Sequence, residues 1–234
     1  MECVELALLT AELIEQYRRL NGATVSNVVE RFGVRLRNEG FADGSLRCMS
    51  PDLPPVVGYA VTARIRCSSP PPVGHSYHDR TDWWNFIAGV PAPRIVVVQD
   101  VDERPGFGAF VGDVHATILQ ALGCTAFVTN GAVRDVGAVR AMGFQLFASS
   151  VAVSHAFAHI LDFGAAVEIG GLPIATGDLL FGDGEGLLSV PASIVEQIPQ
   201  AAAEMLVKEQ LVIDFCKSSR FSIEGLRELV RDLG

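Results

Sequence analysis

With 234 residues, 49% of them hydrophobic and 19% charged, the chain has ample apolar material for a core and too little charge for disorder. A formal net charge of −9 excludes a nucleic-acid backbone as the main ligand, because no basic stripe is present to meet it. Five scattered cysteines without a CxxC pair, no apolar run of membrane-spanning length and an acidic start predict a cytoplasmic protein with no membrane partner.

Residues 2 to 20 place Val4, Ala7, Leu8, Ala11, Ile14 and Tyr17 at helical spacing, and Asn21-Gly22 is the expected stop. Thr24 is then expected to cap a short helix ending at Gly33. Residues 54 to 67, PPVVGYAVTARIRC, predict a long strand. A proline-laden loop (68 to 73) leads into GHSYHDRTDWWNFIAGV, whose second half predicts a helix. RIVVVQD (94 to 100) is a continuous apolar run and predicts a buried strand. Gly106, Gly108 and Gly112 make the next loop supple.

Asp113 to Leu122 predicts a helix with Val114, Ile118 and Leu122 on one face and Gly123 at its end. TAFVTN is the next strand, Gly131 a turn, RDVGAVRAMG a short helix and FQLFA a further strand. Strand, turn and helix thus occur twice, which implies βαβ units and a partly parallel sheet. From Ala165 onwards AAVEIG, DLLFG and GLLSVP predict a second, more antiparallel sheet. Two closing helices follow, the first interrupted near Pro199. No repeat or linker divides the chain, so one domain is expected over residues 1–234. Its core would span about 24–191, with helical extensions at 1–21 and 192–234.

The chemistry concentrates in GDVHATILQALGCTAFVTNGAVRDVGAVRAMGFQLFA (112 to 148). Asp113 starts a helix after a glycine, where the backbone N–H groups of Val114 and His115 favour an anion. Arg134-Asp135 opens the next helix, beyond the neighbouring strand. In a parallel sheet such helix starts share one crevice, so these groups can converge across twenty intervening residues. They would hold a carboxylate by amides and a guanidinium fork, and a hard cation by aspartate oxygens. The plainer readings are a helix cap or dipole partner for Asp113 and a solvated helix start for Arg134-Asp135.

Other groups admit a ligand and a packing account. His75 and His78, with Asp79 and Asp82, could ligate an ion, or their loop could pack Trp83 and Trp84 onto a neighbouring subunit. His155 and His159 are four apart, a zinc-chelating spacing on one helical face, or else surface or interface histidines. FGDGEG (181 to 186) is too short for a calcium loop and reads as a turn. Cys124 reads as a core residue.

The D-x20-R-D pattern within the central stretch resembles the RraA-like family, which contains class II 4-hydroxy-4-methyl-2-oxoglutarate/4-carboxy-4-hydroxy-2-oxoadipate aldolases and the regulator of ribonuclease E activity. The resemblance extends from the Thr24 helix through AVTARI and IVVVQD to GDLLFGDGEGLLSVP (177 to 191), about three-quarters of the chain. It implies an α/β fold with a three-layer β/β/α arrangement of the swivelling-domain type, flanked by terminal helices. It also implies homotrimers or hexamers with sites near subunit boundaries. Asp135 would ligate Mg²⁺ or Mn²⁺, largely through waters, and Asp113 would hold one of those waters. Gly112, the amides of Val114 and His115, and the Arg134 side chain would bind a pyruvate-like moiety. The implied activity is metal-dependent cleavage or decarboxylation of a small 2-oxo acid through the enolate of pyruvate. A non-catalytic protein-binding role, as in the ribonuclease regulator, and a different oxo-acid or sugar-acid substrate are the alternatives. The chain departs from the family at Ala138, where many members carry an acid, at His115 for a usual leucine, at Asn130 for a common Asp, and in the longer, more polar GHSYHDRTDWW.

Overall fold

The computed structural model describes residues 9–76 and 79–233, so His78 and the first half of the helix expected at 2 to 20 lie outside the described residues. Helix α1 (Ala11–Tyr17) is capped by Thr10, whose hydroxyl accepts from the Leu13 amide. Helix α2 (Gly22–Phe32) is capped not by Thr24 but by Asn21, whose Oδ1 accepts the Thr24 amide at 2.8 Å. Helix α1 ends at Tyr17 with Arg18 as its C-cap, before the expected stop at Asn21-Gly22, and Thr24 is buried inside the first turn of α2. Gly33 ends α2 in the left-handed conformation, as expected.

Strand β1 (Arg47–Cys48) precedes the long strand β2 (Val56–Arg66), helix α3 (Asp82–Gly89) and strand β3 (Arg94–Asp100). Strand β4 (Ala109–Val111) leads into helix α4 (Asp113–Ala121), and strand β5 (Cys124–Thr129) into β6 (Ala132–Val133) and helix α5 (Val136–Ala141). Then come β7 (Gln145–Ala148), β8 (Ser150–Val151), β9 (His159–Phe163), β10 (Val167–Ile169) and β11 (Leu172–Ile174). Strands β12 (Leu179–Asp183) and β13 (Gly186–Val190) and helices α6 (Ile198–Lys217) and α7 (Ile223–Leu233) complete the chain. Pro199 begins α6 rather than breaking it, since the first turn of a helix needs no amide from that residue.

The main sheet runs β1-β7-β5-β3-β2-β12-β13, with β9 also paired to β2. Strands β2, β3, β5 and β7 are mutually parallel, and β1, β9 and β12 join antiparallel. Thus β12 and β13 extend this sheet instead of forming the separate one expected from sequence, and of the described strands after Ala165 the β10–β11 hairpin alone stands apart from it.

Alternate residues of β3 and β5 feed two cores. Val96, Val98 and Phe127 face the larger one, with the helices. Ile95, Val97, Ala126 and Val128 face the smaller, covered by Val167, Ile169, Leu172 and Ile174 of the hairpin. Burial on both faces explains the unbroken apolar runs, and the layering is the three-layer β/β/α arrangement.

Several side chains fix this frame. Trp83 is wholly buried beside Phe86 and Phe163, so it packs inside its own chain rather than onto a neighbour. Asp183 of FGDGEG accepts the Gly22 amide at 2.7 Å and the Glu185 amide at 2.9 Å, anchoring the start of α2. Arg94 donates to the Val90, Ala88 and Leu122 carbonyls, closing the C-terminal ends of α3 and α4 with one guanidinium. Gly123, at φ +73°, leaves room for it, because a Cβ there would lie 2.8 Å from a guanidinium nitrogen. The buried face of α4 is His115, Ala116 and Leu119, whereas Val114 is 70% exposed, which corrects the expected face. The His115 ring meets Phe110 edge-on at 4.8 Å with Nδ1 3.1 Å from the Phe110 carbonyl.

Two predictions follow from this packing. Arg94→Ala should lower unfolding free energy by about 2 kcal/mol or more in urea titrations, because three helix-end carbonyls lose a charged donor; Arg94→Lys should restore only part of it, since one ammonium cannot span all three. Burial pushes the His115 imidazole down to about 4, so it is neutral in the fold while the unfolded ring takes a proton near its ordinary value. Its contribution is therefore complete above pH 6.5 and is lost as pH falls towards 4. Between pH 7 and pH 4.5 the native chain should lose about 2 kcal/mol more than His115→Leu. Equal losses would show that His115 does not titrate as the packing demands.

Candidate functional site

Each of β3, β5 and β7 is followed by a short strand, and these three (β4, β6 and β8) form a second, parallel sheet of their own. Sequence periodicity misses them because they are two or three residues long. They decide the site. Ala109 pairs with Ala132 and Val111 with Val133, and the Arg134 amide donates to the Val111 carbonyl at 2.9 Å. Gly112 and Asp113 therefore lie directly across from Arg134 and Asp135, so the two helix starts meet as predicted. The cause is a local strand pairing beyond the main sheet, not the main-sheet crevice alone.

Contact between the two segments is close. A Cβ on Gly112 would lie 2.3 Å from Asp135 Oδ2 and 3.0 Å from Arg134 Nε, so only glycine fits. The Asp113 amide points at Asp135 Oδ2 at 3.4 Å, and Arg134 Nε lies 3.4 Å from the same oxygen. Asp135 occupies the N-cap position of α5 at φ 53°, a left-handed conformation that costs a non-glycine residue on the order of 1–3 kcal/mol. Its side chain makes no cap hydrogen bond and leans across to α4 instead. Asp135 is exposed, in keeping with a solvated helix start, and it also reaches the neighbouring helix. Asp113 keeps part of the plainer role, because its Oδ1 accepts the Val114 amide at 2.7 Å. That amide, expected to point outward unengaged, is held by the neighbouring carboxylate.

Gly112, Asp113, Val114, His115 and Arg134 line a cavity of about 500 Å³. Its other walls, which sequence reasoning did not find, come from Phe110, Pro71, Ser76 and the turn His155–Ala158. Those residues carry no pattern that separates them from ordinary packing. Two exposed or half-exposed carboxylates, Asp113 and Asp135, stand at the seam between the helices, and their oxygens suit a hard divalent ion such as Mg²⁺ or Mn²⁺. The space beside Gly112 that admits the Asp135 carboxylate is the observation that favours this fit. Ala138, exposed on α5, offers no further oxygen.

The histidine alternatives resolve differently from expectation. His155 and His159 do not share a helical face: the first lies in a turn and the second begins β9, buried, with Nδ1 2.7 Å from the Phe157 carbonyl. His155 instead lines the cavity. His75 is exposed, and Asp79 accepts from the Ser76 amide while Asp82 pairs with Arg80. Cys124 is buried in the larger core, as expected. Asn130 joins its side-chain amide to both backbone groups of Asp100, at 2.7 and 3.0 Å, which holds the end of β3 against the β5–β6 turn.

One acidic group was not foreseen. Ligand atoms of buried Cys67, Asp100 and Asp102 lie within 4.8 Å of one another, a spacing compatible with a divalent ion. Their bonds assign them a holding role. Asp102 accepts the Cys67 and Ser68 amides at 2.7 and 2.8 Å and the Ser68 hydroxyl at 2.6 Å, and Asp100 accepts the Asp102 and Gly106 amides at 3.1 and 2.8 Å. Burial pushes the Cys67 thiol up to about 12, so it stays protonated and is a poor ligand. The cluster clamps the loops behind the cavity.

The family model described as RraA-like, Aldolase/RraA, matches residues 22–188. The chain is similar to the "Putative 4-hydroxy-4-methyl-2-oxoglutarate aldolase" of Halalkalibacterium halodurans, 29% identical over 123 residues. That match covers 50% of this chain and 59% of the relative's length. Among solved structures, a protein of Pseudomonas syringae pv. tomato shares the fold with a TM-score of 0.72 at 20% identity, over 96% of both chains. RraAS2 of Streptomyces coelicolor, an unusual member of the RNase ES inhibitor RraA protein family, gives 0.66 at 21% identity over 87% of this chain and 96% of that one. No helix among the described residues is long and apolar enough to cross a membrane. With the family's matched region enclosing both helix starts and the cavity between them, the chain belongs to the RraA-like family.

Proposed function

We propose that the protein is a divalent-metal-dependent lyase that cleaves or decarboxylates a small 2-oxo acid to give pyruvate, acting as a homotrimer or a pair of trimers in the cytoplasm. The observation that carries this reading is the convergence of Arg134 with the start of α4 on one cavity wall, beside two carboxylates.

A 2-oxo acid offers a carboxylate and an adjacent keto oxygen. Arg134 would grip both through its planar fork, and the amides of Val114 and His115 at the helix start would meet the carboxylate. The ligand would displace Asp113 Oδ1 from the Val114 amide and release that carboxylate to hold a water. Asp135, aided by Asp113 through water, would hold Mg²⁺ or Mn²⁺; when bound, the ion supplies Lewis-acid polarisation of the keto group. Charge develops on the keto oxygen as the C3–C4 bond breaks, and the Arg134 guanidinium would stabilise it. The C4 hydroxyl gives up its proton, C4 leaves as a carbonyl compound, and C3 takes a proton from a water at the carboxylates. Oxaloacetate follows the same course, with CO₂ as the leaving fragment. The aldolase name of the Halalkalibacterium relative and the cavity support this chemistry; a protein-binding role, suggested by the name of the Streptomyces neighbour, is the second reading.

The test is pyruvate release from oxaloacetate and from 4-hydroxy-4-methyl-2-oxoglutarate with Mg²⁺ or with EDTA. Turnover should require the ion, and Arg134→Ala should lower kcat/KM by 10²-fold or more, in line with the loss of a group that stabilises an oxyanion. Gly112→Ala should cost a similar factor while leaving the thermal melt nearly unchanged, because its methyl group pushes Asp135 out of place rather than opening the core. Absence of turnover with either acid, together with no Mg²⁺ or Mn²⁺ binding by calorimetry, contradicts the proposal.

A further inference from the structure

The cavity is larger and more apolar than the reactive end of the substrate requires. At about 500 Å³ it lies in the range that houses drug-sized molecules, far beyond a three-carbon acid. One end holds Arg134, Asp113 and the helix start. The rest is built mainly from Pro71, Ala109, Phe110, Ala156, Phe157 and Ala158, with Ser76 and His155 as its polar members. Among the described residues Arg134 is the one guanidinium in the lining, and no lysine joins it.

We propose that the substrate is a 2-oxo acid whose distal end, from C4 onwards, is uncharged and apolar, aryl or alkyl, and that Phe157 determines this preference. The proposal rests on the lyase reading above and adds the substrate class. One guanidinium fork answers one carboxylate, and the pyruvoyl end claims it. A second carboxylate on C4 would be pressed among phenyl and methyl groups, losing hydration that the described polar side chains Ser76 and His155 replace only in part, and Asp113 would repel it. A hydrocarbon group gains by the same burial.

The wall is held in place. Ala156 sits at φ 46°, a left-handed backbone that its surroundings must enforce. Those surroundings are visible: the Ala109 amide donates to Ser154 at 2.9 Å, the Phe157 amide to Cys67 at 3.2 Å and the Ala156 amide to Ser154 Oγ at 3.0 Å. Gly108 admits the turn, since a Cβ there would lie 2.5 Å from the His155 carbonyl. The Asp102 clamp fixes Cys67 in turn. Phe157, itself 49% exposed, is thus presented by a rigid turn at the edge of the cavity, where its ring can change without disturbing the core. It is a specificity residue, not a catalytic one.

The experiment compares two acids that both release pyruvate: 4-hydroxy-2-oxo-4-phenylbutanoate, which yields benzaldehyde, and 4-hydroxy-4-methyl-2-oxoglutarate, which carries a carboxylate on C4. Both are assayed at pH 8 with Mg²⁺. Deuterium exchange into the pyruvate methyl group, followed by NMR, reads the enolate-forming centre independently of any distal group. The native protein should exchange the methyl protons and favour the phenyl acid by 10-fold or more in kcat/KM. Phe157→Ala should cut that preference several-fold, and Phe157→Arg should invert it by supplying a second cation, with the melting temperature retained in both. Exchange with preference for the dicarboxylate overturns this proposal and leaves the lyase reading standing. A phenyl preference untouched by either variant overturns the role of Phe157. Failure of exchange in the native protein removes both.

Discussion

The pairing of β4 with β6 governs everything proposed for this molecule. Two short strands, extending the line of β3 and β5 beyond the main sheet, bring the Val111 carbonyl to the Arg134 amide and so set Gly112 against Asp135. A slip of one residue in that register would turn Arg134 to the opposite side of its strand and separate the guanidinium from the start of α4. The bond itself is an ordinary backbone hydrogen bond. Its importance is positional, because it converts a separation of twenty residues into van der Waals contact.

Around this pairing the chain invests strain and clamps. Asp135 takes a left-handed backbone that most residues avoid, and its carboxylate turns away from its own helix towards the neighbouring one. Ala156, in the cavity wall, also takes a left-handed backbone. Asp102, Asp100 and Asn130 spend their side chains on backbone amides and carbonyls that tie together the ends of β2, β3 and β5. Arg94, at the far end of β3, closes two helices at once. The sheet is thereby rigid at both ends of its parallel strands, which a preorganised anion site requires.

Much of this was legible in the sequence. The apolar runs of β2, β3, β5 and β7 and the glycine-punctuated helices α4 and α5 follow from periodicity, and the D-x20-R-D spacing marks the two segments that meet. Other features were not. The short strands β4, β6 and β8 carry too few residues for a period to show. Asn-Gly reads equally as a helix stop and as a helix start, and here Asn21 caps α2 while α1 ends at Tyr17; in α4 the inward residue is His115, not Val114. The distal wall of the cavity is assembled from residues 71, 109–110 and 155–158, which the sequence keeps far apart and which share no motif. A histidine pair four apart fits one helical face, but His159 begins a strand and is buried while His155 is exposed in the preceding turn.

The central claim is that the start of α4 and the Arg134 guanidinium form one receptor for the carboxylate and oxygen of an enolate. Oxalate, a planar mimic of that enolate, tests it most directly in a crystal grown with Mg²⁺. The account predicts oxalate in the cavity, one carboxylate shared between Arg134 and the Val114 and His115 amides, and the ion beside Asp135. Oxalate seated elsewhere, or an Arg134 side chain making no contact with it, would contradict the account.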